Sequence, residues 1–397
     1  MAGIPPSRRT ALGTLGAVPM TLAGMAALAG PARAAGPPHP GPVPRALRPG
    51  GEFDRFVARL AAQDDFSGNV LLMHGNRPVL ARAHGMADKK KAVPNGPDTI
   101  YALGSITKMF TSIAVAQLAQ QGKLEFTDYL GAHLSGFPKE IADTVTVHQL
   151  LTHTSGMGDF MQTDGFLDQA RKWTSADQVM DGLLKLVRTE SLVFTPGSRV
   201  GYSNSGYHVL GEIVAKISGQ SYYSYIREHI FAPAGMTDSD FYTMPQWRDD
   251  ERIGNPYTTT SSGERVEAFD QHFFMGSPSG DSFSPAPDLA RFARTLLSNK
   301  LLSPAYTELV VCPKIPALPP PPPPGRPQLP TMFNAYAPSA FLINGQWAVG
   351  HTGGSPGESA NLEWYPAIDW MLVKLSNYDV RTTSQVDAMA RQLITGG

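Results

Sequence analysis

Hydrophobic and polar residues change their spacing along the chain, and the change divides the chain into three regions. Residues 52–63 have the periodicity of a helix, and residues 68–88 contain two apolar runs on either side of Gly75 and Asn76. This arrangement predicts one helix followed by two strands that are joined by a tight turn. From residue 105 to residue 248 the spacing is mostly helical, with polar and glycine-rich loops between the helices.

Strand-like spacing returns towards the end of the chain. Residues 339–351 and 360–377 predict two hairpins, whereas residues 287–299 and 384–394 predict amphipathic helices. Strands at both ends therefore flank a helical middle. We predict an α/β (α+β) fold in which a helical domain, residues 105–254, is inserted into a sheet domain, residues 51–104 and 255–397.

Residues 1–34 have the features of an export signal. Arg8 and Arg9 precede a weakly apolar stretch, which ends at a cleavage site framed by Ala32 and Ala34. The arginine pair resembles a twin-arginine signal, although the residues that follow it match that motif only in part. An ordinary Sec signal and an uncleaved membrane anchor are the alternatives. We expect an exported protein, periplasmic or secreted, without a stable membrane span after cleavage.

Two segments rich in proline connect the predicted domains and elements. Residues 35–50, which are also rich in glycine, predict a linker. Residues 316–330 predict a proline-rich loop, in which the consecutive prolines 319–324 would form a stiff surface spacer. A ligand for a proline-recognition domain is the alternative.

Composition and charge exclude several classes of protein. The chain has 33 basic and 34 acidic residues and no basic block after the signal, so nucleic acid is not an expected partner. Its single cysteine, Cys312, cannot form an internal disulfide, and no histidine or cysteine cluster has metal-ligand spacing. The sequence therefore predicts a fold held together by packing, without a metal site.

Lys108 is the only charged residue between Asp98 and Lys123, at the start of a helix with buried character. Ser105 precedes it by three residues, so a helix would place Nζ of Lys108 within reach of the serine oxygen. Apolar neighbours and the helix dipole both disfavour the ammonium, and the free amine could then accept the Ser105 proton and make Ser105 a nucleophile. The alternative is that Ser105 caps the helix and Lys108 extends into solvent.

Tyr202 and Asn204 form a second candidate group. They follow a turn in an extended segment, where alternation points both side chains the same way. Beside an ammonium, the tyrosine hydroxyl could titrate low enough to carry protons, and the asparagine amide could hold both Lys108 and a substrate carbonyl. The alternative is a buried tyrosine beside a structural asparagine.

Glycines near residue 353 form a third candidate group. At the rim of a strand they would let a substrate backbone approach, and the Gly354 N–H could join the Ser105 N–H in an oxyanion hole. The same stretch satisfies G-x-S-x-G, the nucleophile-elbow pattern, with Ser355 as the serine. That assignment is unfavourable because no histidine follows His351 and because Pro356 has no N–H to donate.

Three motifs in this order resemble those of the serine β-lactamase and penicillin-binding protein superfamily. They are S-x-x-K at residues 105–108, Y-x-N at residues 202–204 and H-T-G at residues 351–353. The surrounding stretches LLTHTSGM and GYSNSGYHVLGEIVAKISG extend the likeness to the branch of class C β-lactamases, D-alanyl-D-alanine carboxypeptidases and esterases, over about residues 52–395. The resemblance implies a β-lactamase/transpeptidase-like fold, with an antiparallel sheet flanked by helices and an inserted helical domain.

The resemblance also implies a role for each candidate residue. Ser105 would be the acylated nucleophile, Lys108 its proton acceptor and Tyr202 the base or proton relay. The residues that would bind substrate are Asn204, His351, Thr352 and Gly353, with an oxyanion hole from the main chain of Ser105 and Gly354. The implied chemistry is acyl transfer through an acyl-enzyme, on a small-molecule or peptide substrate, without a metal or organic cofactor.

One residue departs from the β-lactamase pattern. Many β-lactamases have K-T-G where this chain has His351, and a histidine with a pKa near 6.5 is mostly neutral at pH 7. Its hold on a substrate carboxylate would be weaker, so β-lactam hydrolysis is less expected than carboxypeptidase-like or esterase-like hydrolysis. A true class C-like β-lactamase and a non-catalytic sensor or scaffold for wall peptides are the alternatives. The sequence predicts no particular oligomeric state.

Overall fold

A computed structural model describes residues 41–317 and 331–396 of the chain. The predicted export signal at residues 1–34 and the prolines 319–324 lie outside the described residues. Within these ranges the chain forms strands and helices whose order follows the predicted strand–helix–strand pattern.

The described strands lie mostly in the first and last quarters of the chain. In order they are β1 (Gly68–His74), β2 (Arg77–His84), β3 (Met86–Asp88), β4 (Val93–Pro94), β5 (Tyr101–Ala102), β6 (Tyr257–Thr259), β7 (Arg265–Glu267), β8 (Phe283–Ser284), β9 (Ile315–Ala317), β10 (Thr331–Asn334), β11 (Ser339–Ile343), β12 (Gln346–Ser355), β13 (Glu358–Tyr365) and β14 (Trp370–Ser376). Eight of them form one antiparallel sheet in the order β2-β1-β14-β13-β12-β11-β10-β9.

The described helices lie mainly between β5 and β6. In order they are α1 (Glu52–Ala62), α2 (Thr107–Gln120), α3 (Lys139–Ala142), α4 (Val147–Leu151), α5 (Phe166–Ala170), α6 (Ala176–Val187), α7 (Asn204–Ser218), α8 (Tyr222–Ile226), α9 (Ala232–Ala234), α10 (Met244–Asp249), α11 (Ala286–Leu297), α12 (Pro304–Val311) and α13 (Val380–Thr395). A π-helical turn, Arg227–Phe231, joins α8 to α9.

The central strands are buried on both faces because helices cover the sheet on each side. Every residue of β1 is buried, and alternate side chains enter different cores. Val70 and Leu72 pack with α1 and α13 on one face, whereas Leu71 and Met73 pack into the larger core that contains α2 on the other. One face of the sheet and the helical region therefore share the larger of the two cores.

The predicted antiparallel sheet with an inserted helical region is confirmed. Both hairpins, the helix at residues 52–63, the buried helix α2 and the amphipathic helices α11 and α13 are present, with bounds shifted by a few residues. Two predicted segments differ. Residues 45–47, assigned to the linker, form a 3₁₀ turn that buries Leu47, and Pro316, assigned to the proline-rich loop, lies in β9, which pairs with β10.

A layer of charged pairs lies between the sheet and α13. Lys374 is 1% exposed, and its Nζ lies 3.0 Å from Oδ2 of Asp387. Oδ1 of the same carboxylate accepts a 3.1 Å hydrogen bond from Nδ2 of Asn361. Beside it, Arg391 donates to Glu363 at 2.6 Å. Each buried charge has its partner, so the layer does not leave an isolated ion in the core.

Neither a membrane span nor a metal cluster is found within residues 41–317 and 331–396. No helix there is long and apolar enough to cross a bilayer. The same residues contain no group of three or more histidine, cysteine or acidic side chains that could hold a metal ion.

Lys374→Met is expected to lower the free energy of unfolding by about 3–5 kcal/mol, because it leaves the Asp387 carboxylate buried without its cation. The double variant Lys374→Met with Asp387→Leu should recover much of that loss. Urea unfolding followed by circular dichroism measures both, with Lys185→Met on the exposed face of α6 as the control. A double variant no more stable than the single one would contradict this account of the pair.

Candidate active site

Ser105 lies in a 3₁₀ turn, Gly104–Ile106, that leads directly into α2. The alternative prediction, that Ser105 caps this helix, is wrong. The N-cap residue of α2 is Ile106, without a side-chain hydrogen bond, and the Ser105 hydroxyl instead contacts Lys108 and Tyr202. The Ser105 side chain is therefore available for chemistry.

Glycines bring β12 against the turn that carries Ser105. Gly104 has φ +48°, and a Cβ built on it would lie 2.5 Å from the Gly354 nitrogen. A Cβ on Gly353 would overlap the Leu103 carbonyl oxygen. Only glycine allows this approach, and it places the Gly354 amide beside the Ser105 turn, where the sequence predicts the oxyanion hole.

Lys108 is completely buried in the first turn of α2, and its Nζ has three oxygen neighbours. They are Oδ1 of Asn204 at 2.7 Å, the Ser279 carbonyl at 2.5 Å and Oγ of Ser105 at 3.2 Å. Burial lowers the pKa of Lys108 to about 7, although Asp159 and Asp281 act in the opposite direction.

A neutral Lys108 fits these neighbours. Its amine has two N–H donors and one lone pair. The carbonyl oxygens of Asn204 and Ser279 can only accept, so they take the two donors, which leaves the lone pair to face the Ser105 hydroxyl. The geometry thus allows Lys108 to accept the Ser105 proton.

Tyr202 donates a 2.7 Å hydrogen bond to Oγ of Ser105. Its ring stacks on His153, with centroids 4.4 Å apart, and Nζ of Lys108 lies 4.7 Å from the ring centroid. Half of Tyr202 is exposed, yet loss of hydration at its hydroxyl raises the pKa of the phenol. The sequence-based idea that this tyrosine titrates low is therefore wrong for the resting state, in which Tyr202 is a neutral donor.

Asn204 is oriented by a chain of hydrogen bonds that the sequence did not reveal. Its Nδ2 donates to Oδ2 of Asp159 at 2.9 Å, so its Oδ1 faces Lys108. Ser205 accepts from the Phe160 N–H at 2.8 Å and donates to Glu190 at 2.5 Å. Burial raises the pKa of Glu190 to about 7, with Asp159 contributing in the same direction.

The loop that leads into β8, at residues 272–282, supports Lys108 on the side away from Asn204. It provides the Ser279 carbonyl, and its Asp281 N–H donates to the Gly104 carbonyl at 3.1 Å. The Leu103 N–H donates to the Ser282 carbonyl at 2.7 Å. This loop therefore fixes both the lysine and the turn that holds Ser105.

His351 is neutral in this environment. Burial and the neighbouring Lys108 lower its pKa to about 4, and its Nδ1 lies 2.5 Å from the Thr352 carbonyl, to which it donates. The ordinary histidine pKa near 6.5 expected from the sequence, at which His351 would become partly charged in mildly acidic solution, does not hold here. The half-buried imidazole loses part of its hydration and lies beside a second basic group.

A cavity of about 250 Å³ opens beside His351, Thr352 and Tyr202. Its other walls include the apolar side chains of Met332 and Phe341 and, at one end, Arg391 with its partner Glu363. Beyond Gly350, where its pairing with β11 ends, β12 pairs only with β13. The open edge of β12 thus faces the space next to Ser105.

Ser355, the serine of the G-x-S-x-G pattern, is not placed for catalysis. Its hydroxyl donates to Oδ1 of Asp281 at 2.8 Å. It ends β12 in a hairpin with β13, whereas a nucleophile elbow connects a strand to a helix. The structure thus supports the rejection of this pattern.

The structure brings Lys108 and Tyr202 to within hydrogen-bond distance of Oγ of Ser105, and Asn204 to within that distance of Lys108. Sequence reasoning missed Asp159, His153 and the Ser279 carbonyl, which position the groups it found. The loop after α4, which carries both His153 and Asp159, was predicted as a loop, but nothing in its spacing showed which residue would face Asn204 or Tyr202. As assembled, the site holds a nucleophile, a proton acceptor of suitable pKa and a neutral proton donor.

Comparisons with known proteins agree with this geometry. The family model described as Beta-lactamase matches residues 53–396. Penicillin-binding protein 4* of Bacillus subtilis is 29% identical over 266 residues, which cover 64% of this chain and 57% of that protein. The chain thus spans less than two thirds of the length of this relative.

Solved structures give the same result for the fold. The octameric penicillin-binding protein homologue from Pyrococcus abyssi superposes with a TM-score of 0.75 at 26% identity, over 87% of this chain and 77% of that chain. The D-amino acid amidase from Ochrobactrum anthropi superposes with a TM-score of 0.69 at 20% identity, over 87% and 98% of the two chains. The predicted β-lactamase/transpeptidase-like fold is confirmed.

Gly353→Ala is expected to slow acylation of Ser105 by an electrophilic probe about 10²–10³-fold, because the new Cβ would push β12 and its amides away from Ser105. Labelling rates followed by intact-mass spectrometry measure this effect. Gly96→Ala is the matched control, since a Cβ there meets only Thr99 at 3.9 Å. Equal labelling rates in the two variants would show that the close approach is not needed.

Proposed function

Because this chain belongs to the β-lactamase family, we propose that it is a serine hydrolase that cleaves ester or amide bonds through an acyl-enzyme on Ser105. The observation that carries the proposal is the buried Lys108 amine, whose pKa of about 7 and three oxygen contacts suit it to accept the Ser105 proton. Export of the chain, predicted from its first residues, is proposed as well.

The first half of the reaction forms the acyl-enzyme. Lys108 takes the Ser105 proton as Oγ attacks the substrate carbonyl, and the Ser105 and Gly354 amides hold the resulting oxyanion. Tyr202, which contacts the same oxygen, gives its proton to the leaving alcohol or amine as the bond to the carbonyl carbon breaks. The Lys108 proton then restores Tyr202.

The second half releases the acid. A water molecule attacks the acyl carbon, its proton passes to the Tyr202 and Lys108 pair, and Oγ of Ser105 leaves with a proton from the same pair. The enzyme returns to its starting state, and the net reaction adds one water across the ester or amide bond.

The neutral His351 favours uncharged substrates, and we therefore propose an esterase-like activity first. A substrate carboxylate beside His351 would meet an imidazole whose pKa is about 4, so it would gain little attraction at neutral pH. Among the described residues that line this cavity, Arg391 is the one permanent cation, and Glu363 neutralises it at 2.6 Å.

A D-alanyl-D-alanine carboxypeptidase-like activity is the second candidate, and Arg391 is the observation in its favour. The side chain lies at one end of the cavity, and an arginine can hold a second carboxylate with N–H groups that its first partner does not use. A true β-lactamase would likewise need a cation for its anionic substrate. A non-catalytic sensor would be acylated without turnover.

The deciding test is whether turnover continues past one equivalent per enzyme. We expect steady release of p-nitrophenol from a short-chain ester, with slower cleavage of a D-alanyl-D-alanine peptide and of a penicillin. Ser105→Ala should abolish turnover and labelling, whereas Ser355→Ala should keep its label on Ser105. A burst of one equivalent without further release would favour the sensor, and loss of labelling only in Ser355→Ala would overturn the assignment of the nucleophile.

The pH dependence separates the roles of Lys108 and His351. The acylation rate should rise as pH increases through about 7, because only unprotonated Lys108 accepts the serine proton. Between pH 6 and 8 the KM ratio of an anionic to a neutral ester should stay constant, because His351, with a pKa of about 4, keeps one charge state there. A ratio that climbs through this range would show that His351 does titrate and binds the anion.

A further inference from the structure

Met161 lies beside the candidate active site, on a 3₁₀ turn, Phe160–Gln162. Its side chain is exposed, with 53% of the residue's surface accessible, yet its Sδ lies 3.3 Å from Nδ2 of Asn204. Asp159 holds the turn in place, because its Oδ1 accepts a 3.1 Å hydrogen bond from the Met161 main-chain N–H. An accessible methionine therefore contacts one of the residues that surround Lys108.

This contact engages the second donor of the Asn204 amide. Nδ2 has two N–H groups. One faces Oδ2 of Asp159 at 2.9 Å and the other faces Sδ of Met161, while Oδ1 of the same amide lies 2.7 Å from Nζ of Lys108. Met161 is the most exposed of these three neighbours, so the N–H beneath its sulfur is the one on the side from which a substrate arrives.

The sulfur of Met161 holds this N–H only weakly. A thioether is a poor hydrogen-bond acceptor, whereas an amide carbonyl oxygen is a good one. A substrate with an amide carbonyl in its acyl part can therefore take the N–H of Asn204, but only after the methionine side chain has moved away and lost its own contacts. A simple ester has no second carbonyl and leaves the methionine where it is.

We propose that Met161 is a specificity-determining residue, whose sulfur occupies the substrate-facing N–H of Asn204 and thereby favours simple esters over esters and amides of N-acylated amino acids. The inference rests on the proposed acylation of Ser105 and narrows its substrate class. Penicillins and N-acylated D-alanyl-D-alanine peptides both carry such an amide carbonyl, so the contact acts against both.

Two p-nitrophenyl esters of equal acyl length test the proposal. The esters of N-acetylglycine and of pentanoic acid have acyl chains with the same number of chain atoms, but only the first contains an amide carbonyl. Both release p-nitrophenol, so the leaving group makes the same demand on Tyr202. The first-turnover burst gives each acylation rate whether or not the acyl-enzyme is hydrolysed, and the readout is the ratio of the N-acetylglycyl rate to the pentanoyl rate.

Three variants show whether the acceptor at position 161 controls this ratio. Met161→Ala keeps the main-chain N–H that Asp159 accepts, and it should raise the ratio roughly two- to ten-fold, as expected for one hydrogen bond exchanged with water. Met161→Gln supplies an oxygen acceptor and should lower the ratio about two-fold or more. Met86→Ala, which shortens an exposed methionine on β3, is the matched control and should leave the ratio unchanged.

The effect should also depend on Asn204. In an Asn204→Ala background, Met161→Ala should no longer change the ratio, because no amide N–H remains for the substrate to take. Both proteins acylate more slowly there, since Lys108 has lost one of its acceptors, but the two esters share that loss and the ratio is not affected by it.

Four results would overturn the proposal. They are an unchanged ratio in both Met161 variants, a ratio that rises in Met161→Gln as well, an equal slowing of both esters in Met161→Ala, and a response to Met161→Ala that persists without Asn204. Each leaves acylation of Ser105 intact and so leaves the proposed function standing. Absence of a Ser105-dependent burst with either ester would instead refute the proposed function, and this inference with it.

Discussion

A lysine amine held inside a hydrophobic core is the constraint on which the site depends. A charged ammonium without water is unfavourable in that core, so Lys108 must either lose a proton or contact hydrogen-bond acceptors. The segments around it provide such acceptors on two sides. Asp159 orients one of them, and the loop ending at Ser282 carries the other. Two irregular segments near Ser105 therefore provide or orient the hydrogen-bond acceptors of this one nitrogen.

The elements and the motif residues were accessible from the sequence because each leaves a local signal. Short apolar runs around turn residues indicate the hairpins, a run of mostly apolar and small residues indicates α2, and Lys108 is conspicuous as the one charge in that run. The sheet's assembly from both chain ends follows from where those patterns occur. The family resemblance then linked Ser105, Lys108, Tyr202 and Asn204 across a hundred residues of chain that local reasoning cannot connect.

What the sequence could not provide depends on contacts between distant segments. The alternative that Ser105 caps α2 failed because a 3₁₀ turn precedes the helix. The pKa expected for Tyr202 failed because it depends on lost hydration and on the nearby Asp159 and Asp281, and the pKa expected for His351 failed because it depends on lost hydration and on Lys108. Asp159 and Ser279 act through loops whose shape no periodicity encodes.

The pairing of β1 with β14 has a consequence for how the protein is made. Gly68 pairs with Ser376, so the centre of the sheet closes only when the last strand has left the ribosome. Until then β1 has one open edge, and β12, which borders Ser105, has no completed sheet behind it. Long-range pairing of this kind is slow. The sheet beside Ser105 therefore cannot be completed before β14 has been made, and the strand edges stay exposed during that interval.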